Sequence, residues 1–207
     1  MAMRLQEVHP SLVHFPLTLL PLALGADLLG RTGGRRDLSR LGELGIKAAA
    51  ATALAAGLFG LVAQEEVNTE DPRALAMLQT HRNLNLVGVA ALAALAVWRD
   101  GRPRASAGYL AAGSGVLGGM LYSAYLGGTM VYRFGLGVEP ADGLYGEVPE
   151  LTPRTMGHAA LTAAKDLGKG VAHTARDVAE GKIVPALWNG HERASGNGGG
   201  RRRSASE

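Results

Sequence analysis

Four apolar stretches joined by short charged loops constrain this chain more than any other feature. The first, residues 11–30 (SLVHFPLTLLPLALGADLLG), holds twenty residues with one acid, Asp27, and one histidine, His14. At about 1.5 Å per residue it can cross a hydrocarbon core of about 30 Å. Pro16 and Pro21 would be poor inside a soluble helix, but membrane helices tolerate them. A cleaved signal peptide is the rival reading. It needs a basic leader, whereas only Arg4 precedes the stretch, and Ala23 and Gly25 make a weak cleavage site. Residues 44–64 form the second stretch, with Lys47 near one end, where it can snorkel to the interface. Residues 84–98 are short for a span, but 75–83 can extend them, and Trp98 marks an interface. Residues 107–132 are long enough to cross with tilt.

The predicted fold is therefore all-α, an integral membrane four-helix bundle over residues 6–138 with a polar, partly helical C-terminal tail. Composition agrees: 47% of residues are hydrophobic but only 5% aromatic, and 30 are glycine. Alanine, leucine and glycine thus carry the apolar content, where a soluble core would use more Ile, Val and Phe. The fourth stretch places Gly115, Gly119, Ser123 and Gly127 four residues apart. This small-residue stripe predicts close helix packing, within the bundle or across a homodimer. Glycine abundance alone is the plain alternative.

Loop charges predict the orientation. Arg31, Arg35, Arg36, Arg40 and Lys47 surround the first loop, and Arg99, Arg102 and Arg104 the third, while the second carries Glu65, Glu66, Glu70 and Asp71 against Arg73 and Arg82. The positive-inside rule places the first and third loops in the cytoplasm and both chain ends outside it. The expected location is the bacterial inner membrane, as a multi-pass protein. The basic residues of the tail pull against this orientation, though most lie far from the membrane. The net charge of +3 points to no nucleic-acid partner.

Beyond the bundle, residues 139–152 are acidic and turn-rich and read as a linker. Residues 153–193 form an amphipathic or partly helical tail, with Leu161, Ala164, Leu167, Val171, Ala175 and Val178 on roughly one stripe. Such a helix lies on the membrane surface, packs on the bundle, or stays solvated. Residues 194–207 are low-complexity and expected to be disordered.

Polar groups at membrane depth are costly and hence candidates for function. The alternation of spans gathers His9, His14, Glu65, Glu66, His81, Tyr125 and Tyr132 at one end and sends Asp27 towards the other. His14 and His81 are the first candidates, with His9 behind them. Two neutral imidazoles from neighbouring helices can hold a b-type haem, or with a carboxylate a divalent ion of unknown identity. A histidine near a helix end can equally bond a neighbouring carbonyl. His9 and His14, five apart, point about 140° from each other on a continuous helix. Thr18, Pro21 and Gly25 follow His14 at helical spacing, which predicts that this stripe faces the bundle. Pairing with Arg31, four residues on, is the simplest account of Asp27. Tyr125 and Tyr132 share a face and can anchor the outer interface. No nucleotide-loop, zincin or nucleophile-elbow motif is present, and no catalytic residue is assigned. Without cysteine, disulfides, thiolate metal sites and covalent haem attachment are excluded.

The start His9-Pro-x-x-Val-His-Phe-Pro, His81 opening the third helix, and Tyr125-Leu-Gly-Gly-x-x-Val-Tyr-x-x-Gly-x-Gly-Val138 resemble the bacterial membrane family catalogued as domain of unknown function 2231. The resemblance covers about residues 6–138. It implies a four-helix membrane domain and marks His9, Pro10, His14, Pro16, His81, Gly127, Gly128, Tyr132 and Gly137. Relatives joined to cytochrome or Rieske-type modules imply a redox setting, whereas this tail is polar and cysteine-free. Two functions follow as expectations. One is a redox-associated membrane protein with haem b or a metal on its histidines, working beside a membrane redox partner. The other is a non-enzymatic membrane scaffold or partner subunit without cofactor.

Overall fold

The computed structural model describes residues 3–138, Leu144 and residues 149–187. Among these residues the fold is all-helical, its extended pairing limited to isolated bridges from Arg4 to Glu150 and from Val67 to Leu144. A single turn at Leu5–Glu7 leads into α1 (Val8–Leu12). It is followed by α2 (His14–Thr32), α3 (Arg36–Glu66), α4 (Pro72–Arg99), α5 (Ala107–Phe134) and α6 (Met156–Ala179). Most of the linker 139–152 and all of 194–207 lie outside the described residues.

Local chemistry sets the helix ends. Asp71 accepts a hydrogen bond from the Arg73 amide at 2.7 Å, and Pro72, which has no N–H to leave unpaired, takes the first helical position of α4. Ser106 caps α5 by accepting from the Tyr109 amide at 3.1 Å. Gly135 ends α5 at φ 67°, a left-handed conformation that costs residues with a Cβ about 1–2 kcal/mol.

Helices α2–α5 pack in a closed order, α2 on α3, α3 on α4, α4 on α5, and α5 back on α2. Their shared core holds Leu20, Leu24, Ile46, Leu92, Leu95 and Tyr109 among small residues such as Ala23, Ala49 and Ala53. Glycines bring the backbones close. A Cβ on Gly45 would sit 2.9 Å from that of Ala23, and one on Gly113 2.5 Å from a Leu24 methyl. Two helical stretches, Leu5–Thr32 and Arg36–Glu66, are long and apolar enough to cross a membrane.

The structure differs from expectation in the phase of its stripes. Gly115 and Gly119 face open space, while Ser123 is buried and Gly127 meets the His81 ring. A four-residue step on a helix of about 3.6 residues per turn drifts by about 40°, so the ends of that stripe part by about 120°. The inward face of α2 is Pro16, Leu20, Ala23, Leu24, Asp27 and Gly30. The stripe begun by His14, Thr18 and Pro21 is exposed instead.

Candidate functional site

The antiparallel order places the loops 33–35 and 100–106 at one end of the helices, and α1, the 67–71 loop and Gly135 at the other. Each end holds a buried polar group of its own.

At the first end Asp27 is wholly buried, and its partner is Arg99 from α4. The guanidinium donates to Asp27 Oδ1 at 2.8 and 3.0 Å and to Oδ2 at 3.1 Å, and its Nη2 also donates to the Ser39 carbonyl at 2.7 Å. Its other amine bonds the Arg102 carbonyl. A Cβ on Gly42 would fall on the Asp27 carboxylate, so α3 presents bare backbone to the pair. The expected partner, Arg31, reaches out to the Ala105 carbonyl at 2.9 Å. The i, i+4 reading failed because a fully buried carboxylate takes the guanidinium delivered into the interior, not the one on its exposed rim.

At the second end it is His9 that meets His81. Their ring centroids are 6.1 Å apart and the rings are edge-to-face. His14 is exposed on the outer side of α2. The helical phase requires this: once His9 turns inward, a residue five further on turns away by about 140°. His9 Nδ1 donates to the Ala56 carbonyl at 2.9 Å, and its ring lies 3.1 Å from where a Cβ on Gly60 would be.

His81 is held on both nitrogens. Nδ1 faces the Ser123 carbonyl at 2.8 Å and the Ser123 hydroxyl at 3.0 Å. A carbonyl only accepts, so Nδ1 carries the proton and, in the neutral ring, Nε2 is the acceptor. Asn85 donates to that Nε2 at 2.9 Å, and Ser123 Oγ in turn donates to Asn85 Oδ1 at 3.0 Å. The ring, the hydroxyl and the amide thus form a closed cycle between α4 and α5. Among the described residues no group of three His, Cys, Asp or Glu side chains is gathered as for a metal ion.

A further polar group, in which Glu65 and Glu66 gain partners that spacing did not single out, lies under α6. Glu66 of α3 and Asp166 of α6 are both buried, and their carboxyls come together at the α3–α6 contact. Lys169 reaches Asp166 at 3.0 Å, and His173 reaches Glu65 at 2.9 Å. Arg82 of α4 donates to Asp177 at 3.1 Å and to Asn83 at 3.0 Å. Asn83 donates to the Lys182 and Ile183 carbonyls just past α6. A Cβ on Gly170 would overlap the Leu61 carbonyl, so α3 and α6 touch backbone to backbone there. Glu66 is the last residue of α3, beyond the apolar stretch 44–64. Burial and the Asp166 carboxyl push its pKa up to about 7. The sequence signal was present as four acids and two bases between residues 65 and 82. What it lacked was the segment more than eighty residues later that covers them.

Tyr132 and Tyr125 are exposed at this end, and Tyr125 stacks on Tyr122 with centroids 6.4 Å apart. The family described as "Predicted membrane protein (DUF2231)" matches residues 6–140. No curated protein and no solved structure matches the chain.

Proposed function

The chain belongs to the DUF2231 family of predicted membrane proteins, and from that premise we propose that α2–α5 form a four-helix bundle crossing the bacterial plasma membrane four times as a non-enzymatic scaffold or partner subunit. One observation carries this reading: large apolar side chains of α2–α5 face outward while the buried charges between them, Asp27 and Arg99, are paired. Leu22, Leu54, Val87, Val97 and Leu121 are among the exposed side chains. Asp27, Arg99 and Ser123 lie inside and bond one another's elements. Lipid imposes this inversion, since it solvates leucine and abandons an unpaired charge. The closed cycle around His81 supports a structural role for the buried polar groups. Tyr125 and Tyr132 sit where an interfacial belt would be.

Because the chain is cysteine-free, single cysteines report topology directly. Cysteines at Gly34 and Gly101 should be shielded from an impermeant thiol reagent in intact cells, and one at Asn68 should be labelled. Equal labelling of all three, or a chain recovered without detergent, would refute the proposal.

A second reading keeps His9 and His81 as cofactor ligands. Each fixes Nδ1 on a main-chain carbonyl of another helix, as ligating imidazoles commonly do, and no described hydrogen bond reaches His9 Nε2. Against it, His81 Nε2 is already taken by Asn85. Visible spectra of the purified protein, oxidised and reduced, decide. A Soret band lost in His9→Ala and His81→Ala but kept in His14→Ala favours this reading, and a colourless protein after haem is supplied removes it.

A further inference from the structure

We propose that the outer face of α6 lies on a lipid surface, with its basic flank against anionic headgroups. The inference rests on the membrane reading above and deepens it by naming the partner of α6. It starts from the way this helix is turned. Its inward face is Ala159, Ala163, Asp166, Leu167, Gly170, Thr174 and Asp177, with Ala163 and Leu167 packed against Leu5 and Val62, and both of its acids point at the bundle. There they meet Glu66 of α3 and Arg82 of α4. Its apolar stripe points the other way: Leu161, Ala164, Gly168, Val171, Ala175 and Val178 are exposed, at alternating three- and four-residue steps. A helix held only by its bundle contact would carry the opposite arrangement, apolar side in and polar side out.

The exposed charges are equally sorted. At about 100° per residue, Lys165, Lys169, Arg176 and His158 fall within about 40° of one another, along one edge of the apolar stripe. All four are exposed. The face turned to the outside is therefore an apolar strip with a cationic border, the pattern of helices that lie in the headgroup region of anionic bilayers. Depth agrees. Gly170 crosses α3 at Leu61, in the last two turns of that helix and at the end of the apolar stretch 44–64. From there α6 runs on to Arg82 of α4, so it crosses successive helices at the level where a span would leave the hydrocarbon.

The test uses the full chain reconstituted in phosphatidylcholine vesicles with and without phosphatidylglycerol. Single cysteines replacing Leu161, Val171 and Val178 carry an environment-sensitive fluorophore. Lipid-borne quenchers should darken all three, more strongly with phosphatidylglycerol present. Lys165→Gln with Arg176→Gln should lower the lipid-contact equilibrium about 25-fold, at roughly fivefold per charge. A fourth cysteine at Leu54, exposed on α3, separates the two claims. Quenching at Leu54 with none on α6 overturns the α6 proposal alone. No quenching at Leu54 overturns the membrane reading itself. Shielding of the α6 positions that grows with protein concentration, without lipid quenching, puts a second copy on this face and also overturns the proposal. Shielding that appears only when a soluble protein is added does the same.

Discussion

Removing the Arg99 side chain tests the buried pair that joins α2, α3 and α4. Asp27 and Arg99 are 0% and 1% exposed at their side chains. The guanidinium makes three contacts with the carboxylate and bonds the Ser39 and Arg102 carbonyls besides. In Arg99→Ala the carboxylate stays buried with no counter-charge, and α3 offers it only the bare backbone at Gly42. Breaking one side of such a pair costs about 3–5 kcal/mol. Asp27→Asn keeps the shape but loses the charge, and should cost somewhat less, because Arg99 keeps the Glu43 carboxylate at 4.0 Å as a more distant counter-charge. The double variant Asp27→Asn/Arg99→Met removes both charges and should cost far less than the sum of the two single losses, with Arg99→Met as the second single variant of the double-mutant cycle. Unfolding in mixed micelles provides the assay. Trp98, edge-on to Tyr109 at 6.2 Å, reports locally by fluorescence, and circular dichroism reports the helices. If Arg99→Ala unfolds within about 0.5 kcal/mol of the native protein, or the two single losses simply add, the pair is not what locks these helices.

Three further outcomes are expected. Gly170→Ala drives a Cβ into the Leu61 carbonyl, and overpacking of this kind costs about 1–3 kcal/mol. α6 should lift from α3, seen as faster proteolysis within 156–179 while α2–α5 keep their helicity. The buried Glu66–Asp166 contact makes docking of α6 pH-dependent. Its folded pKa of about 7 lies above the ordinary 4.5, so the docked form holds a proton that the undocked form releases. Docking is then fullest below about pH 4.5 and weakens as pH rises through about 7. Glu66→Gln, which keeps a donor for Asp166, should flatten that dependence in the distance between spin labels on α5 and α6. Asn85→Leu opens the cycle around His81 by removing both the donor to Nε2 and the acceptor for Ser123 Oγ. Two lost bonds at about 1 kcal/mol each, with His81 Nε2 left without its donor, should lower stability by about 2–3 kcal/mol in the same unfolding assay.

Much of the fold was legible because membrane-length apolar stretches and helix punctuation are local. The stretches 11–30, 44–64 and 107–132 fall within α1–α2, α3 and α5. The third helix, read as 84–98 with 75–83 extending it, starts at Pro72, where Asp71 followed by proline marks a capped start. α3 likewise begins at Arg36, where charged residues hid a helix that its short loop requires. The sites were less legible, since each depends on a partner remote in sequence. Asp27 is answered from 72 residues away, and Glu65 from 108.

The misplaced stripes have one physical origin. Spacing says which residues share a helix face; it does not say which face turns inward. His14, Thr18 and Pro21 do share a face, and so do the apolar residues of α6, yet both faces point outward. For a soluble helix the apolar stripe settles the matter, because water drives it in. In the proposed membrane setting that rule loses its force, and what points inward is decided by polar groups needing partners and by glycine permitting close approach. His9 turns in because the Ala56 carbonyl accepts its proton and Gly60 leaves room for the ring. α6 turns its acids in because Glu66 of α3 and Arg82 of α4 await them, and Gly170 lets the helix touch α3. A polar residue and a glycine that face each other across two helices therefore predict the inward side of a membrane-bound helix better than its leucines do.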